Sequence, residues 1–465
     1  MGVVYAKELS SNGPNQVDDS HSQHEVVETE EVEVDLAKTP AHVQKVHIDG
    51  LGRTKNDFVT DEVDELFKAE NFEDMIKKCA ETKMKLNNLG IFKKISILVD
   101  TSKGEKARPD GYEVTFKVEE MRRVGGTLNT HVGTNDGTVS VGAKLPNIFG
   151  RGEKFDATYT YGTKNTVGYN ATFRRPLKIN KKWSSVSSSI YRYSGDFPWS
   201  GYNETNTGID LNFNFKSIFG DHALGWDGVW RDLGCINRQT AFAVREQCGH
   251  TLKSSIKHTV VQDHRDNKIL PNHGSYLRIT EEFAGLGGDV QFLKHDMELQ
   301  LNRSFILDTV LQLCLAGGVM KGLHGKTMLN DRFYVGGPLT LRGFNLRGAG
   351  PNSDGNSLGA ETYLCGGLHM YTPLPFRPGK GGFGELFRTH FFVNAGNAVN
   401  VDFNTTAIEN LQQLVDTVRL TYGMGVVLNL GGVARLELNY CIPVKSQPGD
   451  SVNPGVQFGI GVSYL

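Results

Sequence analysis

Few residues in this 465-residue chain have the spacing to do bond chemistry. Gly325-Lys326-Thr327 ends like a phosphate-binding loop, but the first glycine of that motif falls on Met320, so the backbone cradle for a phosphate is incomplete. No H-E-x-x-H run puts two imidazoles on one helix face. The six cysteines (Cys79, Cys235, Cys248, Cys314, Cys365, Cys441) include no C-x-x-C pair, so zinc lacks its usual ligand spacing and the thiols read as unpaired small side chains. His21 and His24 lie in a polar, acidic stretch and read as solvated. What remains is a cation on a glycine-rich loop. The stretch Asp331-Arg332-Phe333-Tyr334-Val335-Gly336-Gly337-Pro338-Leu339-Thr340-Leu341-Arg342-Gly343-Phe344 lies in a long region, 317–359, where the surrounding two-residue alternation stops. Its apolar side chains need somewhere to pack, and its glycines allow backbone that other residues cannot adopt. The reading is a loop that folds into an interior and delivers Arg342 to a fixed partner, with no catalytic set, cofactor or metal.

The elements that must position this loop are strands. No apolar run approaches the ~20 residues of a membrane helix, which leaves membrane strands of ~10 alternating residues open. Glycine is abundant (54) while proline is not (15), a balance that suits many twisted strands. The net charge of −2 gives no footprint for nucleic acid. From Val124 onward the chain alternates: Ala157, Tyr159 and Tyr161 against Thr158 and Thr160; Leu211, Phe213 and Phe215 against Asn212 and Asn214; Leu436, Leu438 and Tyr440 against Arg435, Glu437 and Asn439. About sixteen such segments follow one another. Local alternation does not separate a sandwich from a membrane barrel. The number of strands, the charge on the polar face, and the aromatics near strand ends (Trp183, Tyr191, Tyr193, Phe197, Trp199) favour the all-β transmembrane barrel.

The barrel spans 121–465 on this reading. Before it, 41–120 reads β-α-α-β-β: a strand from Val43 to Ile48, a helix with Val59, Val63, Leu66 and Phe67 on one face, a second helix with Phe72, Ile76, Cys79, Leu86 and Leu89 that ends at Gly90, and two alternating strands. The third strand is expected to offer an edge to extended peptides. Residues 1–40 are acidic and polar and read as a disordered tail. They are neither a secretory signal nor a basic presequence, so any membrane targeting is expected to be internal.

The loop stretch fits R-F-x-x-G-G-x-x-x-x-R-G-F, carried by Arg332, Phe333, Gly336, Gly337, Arg342, Gly343 and Phe344, and this resembles the loop signature of the outer-membrane barrel assembly superfamily, which includes bacterial BamA. Four further runs resemble that family: L-P-N-I-F-G-R-G-E at 145–153, D-H-R-D-N at 263–267 with Pro271 and Gly274, F-F-V-N-A-G at 391–396, and Q-F-G-I-G-V-S-Y at 457–464, which fits the β-signal of mitochondrial barrels. The resemblance narrows to the branch that holds the barrel subunit of the mitochondrial sorting and assembly machinery, and 41–120 resembles a single POTRA domain. In the family, the loop arginine is held against an F-x-D-x-G strand. Here that strand offers Phe392, Asn394 and Gly396, so the acidic position is an asparagine. An Arg–Asn contact is weaker than a charge-assisted pair. Either Glu361 or Glu437 supplies the charge, or the loop is held more loosely.

The resemblance implies an insertase for β-barrel precursors in the mitochondrial outer membrane, with the N-terminal domain in the intermembrane space. Its implied partners are porin-type and import-pore-type precursors, metaxins, the cristae-organising complex and membrane lipid. The implied lateral gate is the seam between Thr127, Leu128, Asn129, Thr130, His131, Val132, Gly133 and Thr134 on the first strand and Val456, Gln457, Phe458, Gly459, Ile460, Gly461, Val462, Ser463 and Tyr464 on the last. Glycine weakens a strand, and an unpaired edge templates a new one, although each of these glycines alone also fits ordinary curvature. The alternative is a passive outer-membrane pore or polypeptide-translocating channel, against which the in-folded loop and the single POTRA-like domain both speak.

Overall fold

The computed structural model describes residues 36–461 apart from 104, 106, 133–136, 180, 181, 375–382 and 402–405. The expected tail boundary at residue 40 moves. Residues 36–40 are already engaged, with Thr39 O accepting from Phe72 N at 2.9 Å and Leu36 O from Glu73 N at 3.3 Å. They occupy carbonyl-seeking N–H groups of a helix first turn. Residues 1–35 lie outside the described residues.

The N-terminal domain is a three-stranded sheet covered by two helices. Helix Phe72–Asn88 starts where the Asn71 side chain accepts from Asp74 N, and Gly90, at φ +61°, follows its end. Met75, Cys79 and Leu86 pack with Val59, Val63 and Leu66 against Val114 and Phe116. Two expected core residues are displaced: Phe67 and Ile76 are exposed. After Val63 the chain tightens into a 3₁₀ turn over Asp64–Lys68, which rotates Phe67 off the apolar face, and Met75 takes the place assigned to Ile76. The third strand, Gly111–Glu120, is not an edge. It is the middle strand, antiparallel to Phe92–Thr101 and parallel to His42–Asp49. The helical crossover lays the first strand beside the third, and this leaves the other two strands as the edges.

The remainder is one sixteen-stranded antiparallel sheet in chain order, from Gly125–Val132 to Gly455–Gly461. Its outward side chains are large and apolar on strand after strand, including Val141, Tyr159, Leu211, Trp230, Leu293, Leu368, Val393, Leu438 and Phe458, all solvent-exposed. An apolar surface of that extent belongs against lipid. The inward face is polar. The long loop begins later than expected, because 317–322 belong to strand Val310–Gly322. Gly317 and Gly318 erase the alternation there, and Gly318 is needed because a Cβ would lie 2.6 Å from the Phe333 ring. Helices Phe242–Arg245 and Ala407–Asp416 interrupt the expected all-β run; the second begins with a reciprocal Thr406/Glu409 capping box.

The N-terminal domain is fastened to the turn at 147–152. Lys55 N donates to Gly150 O (2.9 Å), Asn147 Nδ2 to Thr54 Oγ1 (2.7 Å), and the Arg53 guanidinium to Pro146 O (3.3 Å) and Met121 O (2.6 Å). Glu120 organises the domain side. It accepts from Thr54 Oγ1 (2.6 Å) and from the backbone N–H of Thr54 (2.8 Å), Gly52 and Arg53 (both 3.0 Å). Burial pushes this carboxyl up, but the hydrogen bonds from Thr54, Gly52 and Arg53 outweigh it and hold it at about 2 against an ordinary 4.5. A folded-state value below the unfolded one stabilises above the unfolded value, and the stabilisation is lost as pH falls from about 4.5 towards 2. Glu120→Gln presents an amide to these donors at a cost of about 1–3 kcal/mol. Hydrogen exchange should report the Gly52, Arg53 and Thr54 amides opening roughly fivefold faster or more at pH 7, and unchanged protection would show that the cluster does not hold the junction.

Candidate functional site

The loop 323–361 enters the polar face of the sheet and is held at three places. At its root, buried Asp331 accepts from Arg231 (2.8 Å) and lies 3.5 Å from Lys253, which pairs with Glu282 at 2.6 Å. Lys294 Nζ donates to Asp331 O at 2.6 Å. Arg332 ties the two legs of the loop together, donating to Thr327 Oγ1 (2.9 Å), Thr327 O (3.0 Å) and Leu358 O (3.2 Å). Phe333 fills the space over Gly318 against Tyr363, with ring centroids 4.7 Å apart.

At the turn, Gly336 and Gly337 have φ of +117° and +109°. A Cβ on Gly336 would stand 2.6 Å from Asn345 O, so the returning leg packs directly on its backbone. Arg347, beyond the signature, stacks on Tyr334 (3.9 Å to the centroid) and donates to Ser200 Oγ (3.0 Å) and Tyr202 OH (3.1 Å).

At the tip, Arg342 and Glu437 are both fully buried, at 0% exposure. Arg342 Nε and Nη2 donate to Glu437 Oε2 at 3.1 and 2.9 Å, and Nη1 donates to Asn394 Oδ1 at 3.2 Å. Arg342 also lies over the Phe392 ring, 5.3 Å from its centroid. The charge left open by the sequence is therefore supplied by Glu437, two strands from Asn394. Glu361 instead accepts from Thr327 Oγ1 at 2.7 Å, near the loop root. Asn439 Nδ2 donates to Glu437 Oε2 at 2.8 Å, Arg435 pairs with the other carboxylate oxygen, and a chain of contacts continues from Asn439 to His390 and His369, each 2.9 Å. Gly396 gives room to Leu341, whose methyl carbons would lie 3.2 Å from a Cβ there.

The loop then reaches the end of the chain. Gly343 N donates to Gln457 Oε1 (2.9 Å) and Gln457 Nε2 to Phe344 O (3.2 Å). Asn345 N, Ser451 N and Asn453 N form backbone bonds between 343–348 and 451–453. Asp450 is held by Arg419 through two 2.8 Å bonds. Arg347 touches Tyr202 while Gly343, four positions earlier, touches Gln457. Their strands are ten apart in the sheet, about 48 Å if flat, so the sheet curls around the loop.

The fold compares closely with known proteins. An Omp85 superfamily domain matches residues 147–464. The chain belongs to the Omp85 superfamily. It is 47% identical to a sorting and assembly machinery component 50 homolog of Xenopus tropicalis, with each chain covered completely, and 46% identical to the human homolog, again in full. The structure of BamA from Haemophilus ducreyi lacking POTRA domains 1–3 superposes with a TM-score of 0.73 at 17% identity, covering 90% of this chain and 85% of that one.

In this Omp85 chain the two proposed gate strands are the edges of the sheet. Among the described residues no ladder joins Gly125–Val132 to Gly455–Gly461. Leu128 (72% exposed) and Val456 (66%) face outward, while Gln457 is buried beneath the loop. Gly133, Thr134, Val462, Ser463 and Tyr464 lie outside the described residues.

Sequence reasoning missed the Asp331 cluster, Arg347, and the Gln457 bond to the loop. Arg231, Lys253 and Glu282 were detectable as charges at inward positions of neighbouring strands; Arg347 carried no such signal. Against the reading that the sequence has no G-x-S-x-G run, Gly355-Asn356-Ser357-Leu358-Gly359 matches that pattern. Ser357 lies in the two-residue hairpin of Asn352–Ser353 and Asn356–Ser357, not at a strand-to-helix elbow, and its hydroxyl bonds no histidine or carboxylate among the described residues.

Removing one partner of a buried pair leaves an uncompensated charge, at about 3–5 kcal/mol. In Arg342→Ala the tip should leave its seat, and limited trypsinolysis should then cut after Arg347, where the wild type resists. Combining it with Glu437→Gln should cost less than the sum of the two; additive effects would mean the pair is not the anchor.

Proposed function

We propose that this chain folds and inserts β-barrel precursors into the mitochondrial outer membrane, and that they enter through the seam between Gly125–Val132 and Gly455–Gly461. The observation that carries the reading is that Gly125–Val132 and Gly455–Gly461 are the two end strands of the sheet, with no ladder between them among the described residues, in a chain related over its whole length to sorting and assembly machinery component 50 homologs. A precursor's last strand pairs with Gly125–Val132, later hairpins follow, and the new barrel leaves into lipid. Strand pairing and burial of apolar faces drive the process, so no nucleotide is needed. The loop supports the last strand through Gln457 while the first strand receives the substrate.

The finer assignments rest on the family resemblance. The N-terminal domain faces the intermembrane space, metaxins bind on the cytosolic side, and the cristae-organising complex is met on the inner side. A passive pore fits less well, because the lumen contains the loop with its buried Arg342.

Disulfide crosslinking in isolated mitochondria tests the seam. Single cysteines placed at Thr127, Asn129 and His131 should form adducts with the last strand of an arrested porin precursor, in matching register steps. Adducts absent at these three positions but formed at lumen-facing positions on strands away from the seam would replace the gate with a threaded pore. Arg342→Ala should lower precursor assembly several-fold while the protein stays in the carbonate-resistant membrane pellet; full assembly activity would detach the loop from the function.

A further inference from the structure

Four of the six cysteines are buried, and the other two face each other. Cys235 ends strand Gly220–Cys235, and Cys248 immediately precedes Gly249–Asp263. These strands pair with Leu233 opposite Gly249, so the two thiols close the last step of the ladder before the loop 236–247. Their Sγ atoms are 2.7 Å apart and both residues are half-buried, within reach of a small reagent.

The loop they bracket is a mount for the in-folded loop. The Gln247 side chain accepts from Leu329 N at 2.8 Å, and Ala241 N donates to Asn356 Oδ1 at 2.9 Å. Ala241, Val244 and Leu329 form one apolar cluster with Tyr202 and Leu233. Whatever fixes 236–247 therefore fixes two points of the in-folded loop.

The geometry points to a redox-responsive dithiol: Cys235 and Cys248 are converted by a small-molecule disulfide of the glutathione class into an intrachain disulfide that locks the 236–247 loop and steadies the root of the in-folded loop. The Cys235 thiolate attacks one sulfur of the oxidant, forming a mixed disulfide and releasing one glutathione thiolate. Cys248 loses its proton and attacks the Cys235 sulfur, forming the internal S–S bond and expelling the second thiolate. Both leaving thiolates take up protons, and two electrons pass from the protein to the oxidant. Burial pushes the Cys248 thiol up, and the neighbouring Cys235 adds to this only while it is reduced.

The test uses the full-length protein in membranes, treated with oxidised glutathione, blocked with N-ethylmaleimide, denatured and digested with trypsin without reduction. Cleavage after Arg231, Arg238, Arg245 and Lys253 places the two cysteines on peptides 232–238 and 246–253. A disulfide-linked pair of these peptides should appear with oxidant, disappear with dithiothreitol, and be absent in Cys235→Ser and Cys248→Ser. In the same oxidised sample, exchange of the Leu329 amide should slow several-fold, and in Cys235→Ser it should not change. Recovery of both peptides as maleimide or glutathione adducts would overturn the dithiol assignment. A linked pair with unaltered Leu329 exchange would overturn the lock.

Discussion

The ion pair between Arg342 and Glu437 is the constraint on which the rest of the structure depends. Each charge loses several kcal/mol of hydration on burial, and it is tolerated only because neighbouring strands converge on the pair: Asn394 on the guanidinium, Asn439 and Arg435 on the carboxylate. The pair therefore forms only when strands Phe387–Val399 and Ala434–Lys445 are in register. A slip of one residue in Ala434–Lys445 would turn Glu437 to the outside and Leu438 inward. Insertion of the loop and correct curling of the sheet are consequently one event.

The loop also supplies something the sheet lacks. A sheet with its apolar face on lipid has a polar interior and little core of its own. Val335, Leu341, Phe344 and Ala349 of the loop pack with Ala360, Cys365 and Ala398 into an apolar cluster inside the lumen. The glycines of the signature permit this: at Gly343, φ is +85° and a Cβ would lie 2.7 Å from the Thr421 side chain. The glycines of the motif are thus steric permissions around the seat of Arg342.

Much of this was legible in the sequence because each signal had a local physical cause. Two-residue alternation showed the strands and their lipid face, and the loop glycines showed where alternation must stop. The failures have equally specific causes. Gly317 and Gly318 carry no side chain to report a strand, so the loop seemed to start early. A 3₁₀ turn turned Phe67 outward, which helical periodicity does not foresee. The capping box at Thr406 was present in the letters but was overlooked within a chain read as all strand. The partner of Arg342 was undecidable because pairing across two strands depends on register, and Gln457 had no visible tie to a loop more than a hundred residues earlier.

The short link between the N-terminal domain and the sheet has a mechanical consequence. Residues 121–124 alone separate strand Gly111–Glu120 from Gly125–Val132, a reach of about 14 Å at full extension, and the domain is clasped to the turn at 147–152. The first strand of the sheet is thus hung on the N-terminal domain and the last, through Gln457, on the in-folded loop. The distance between these two end strands then follows how far apart those two bodies stand.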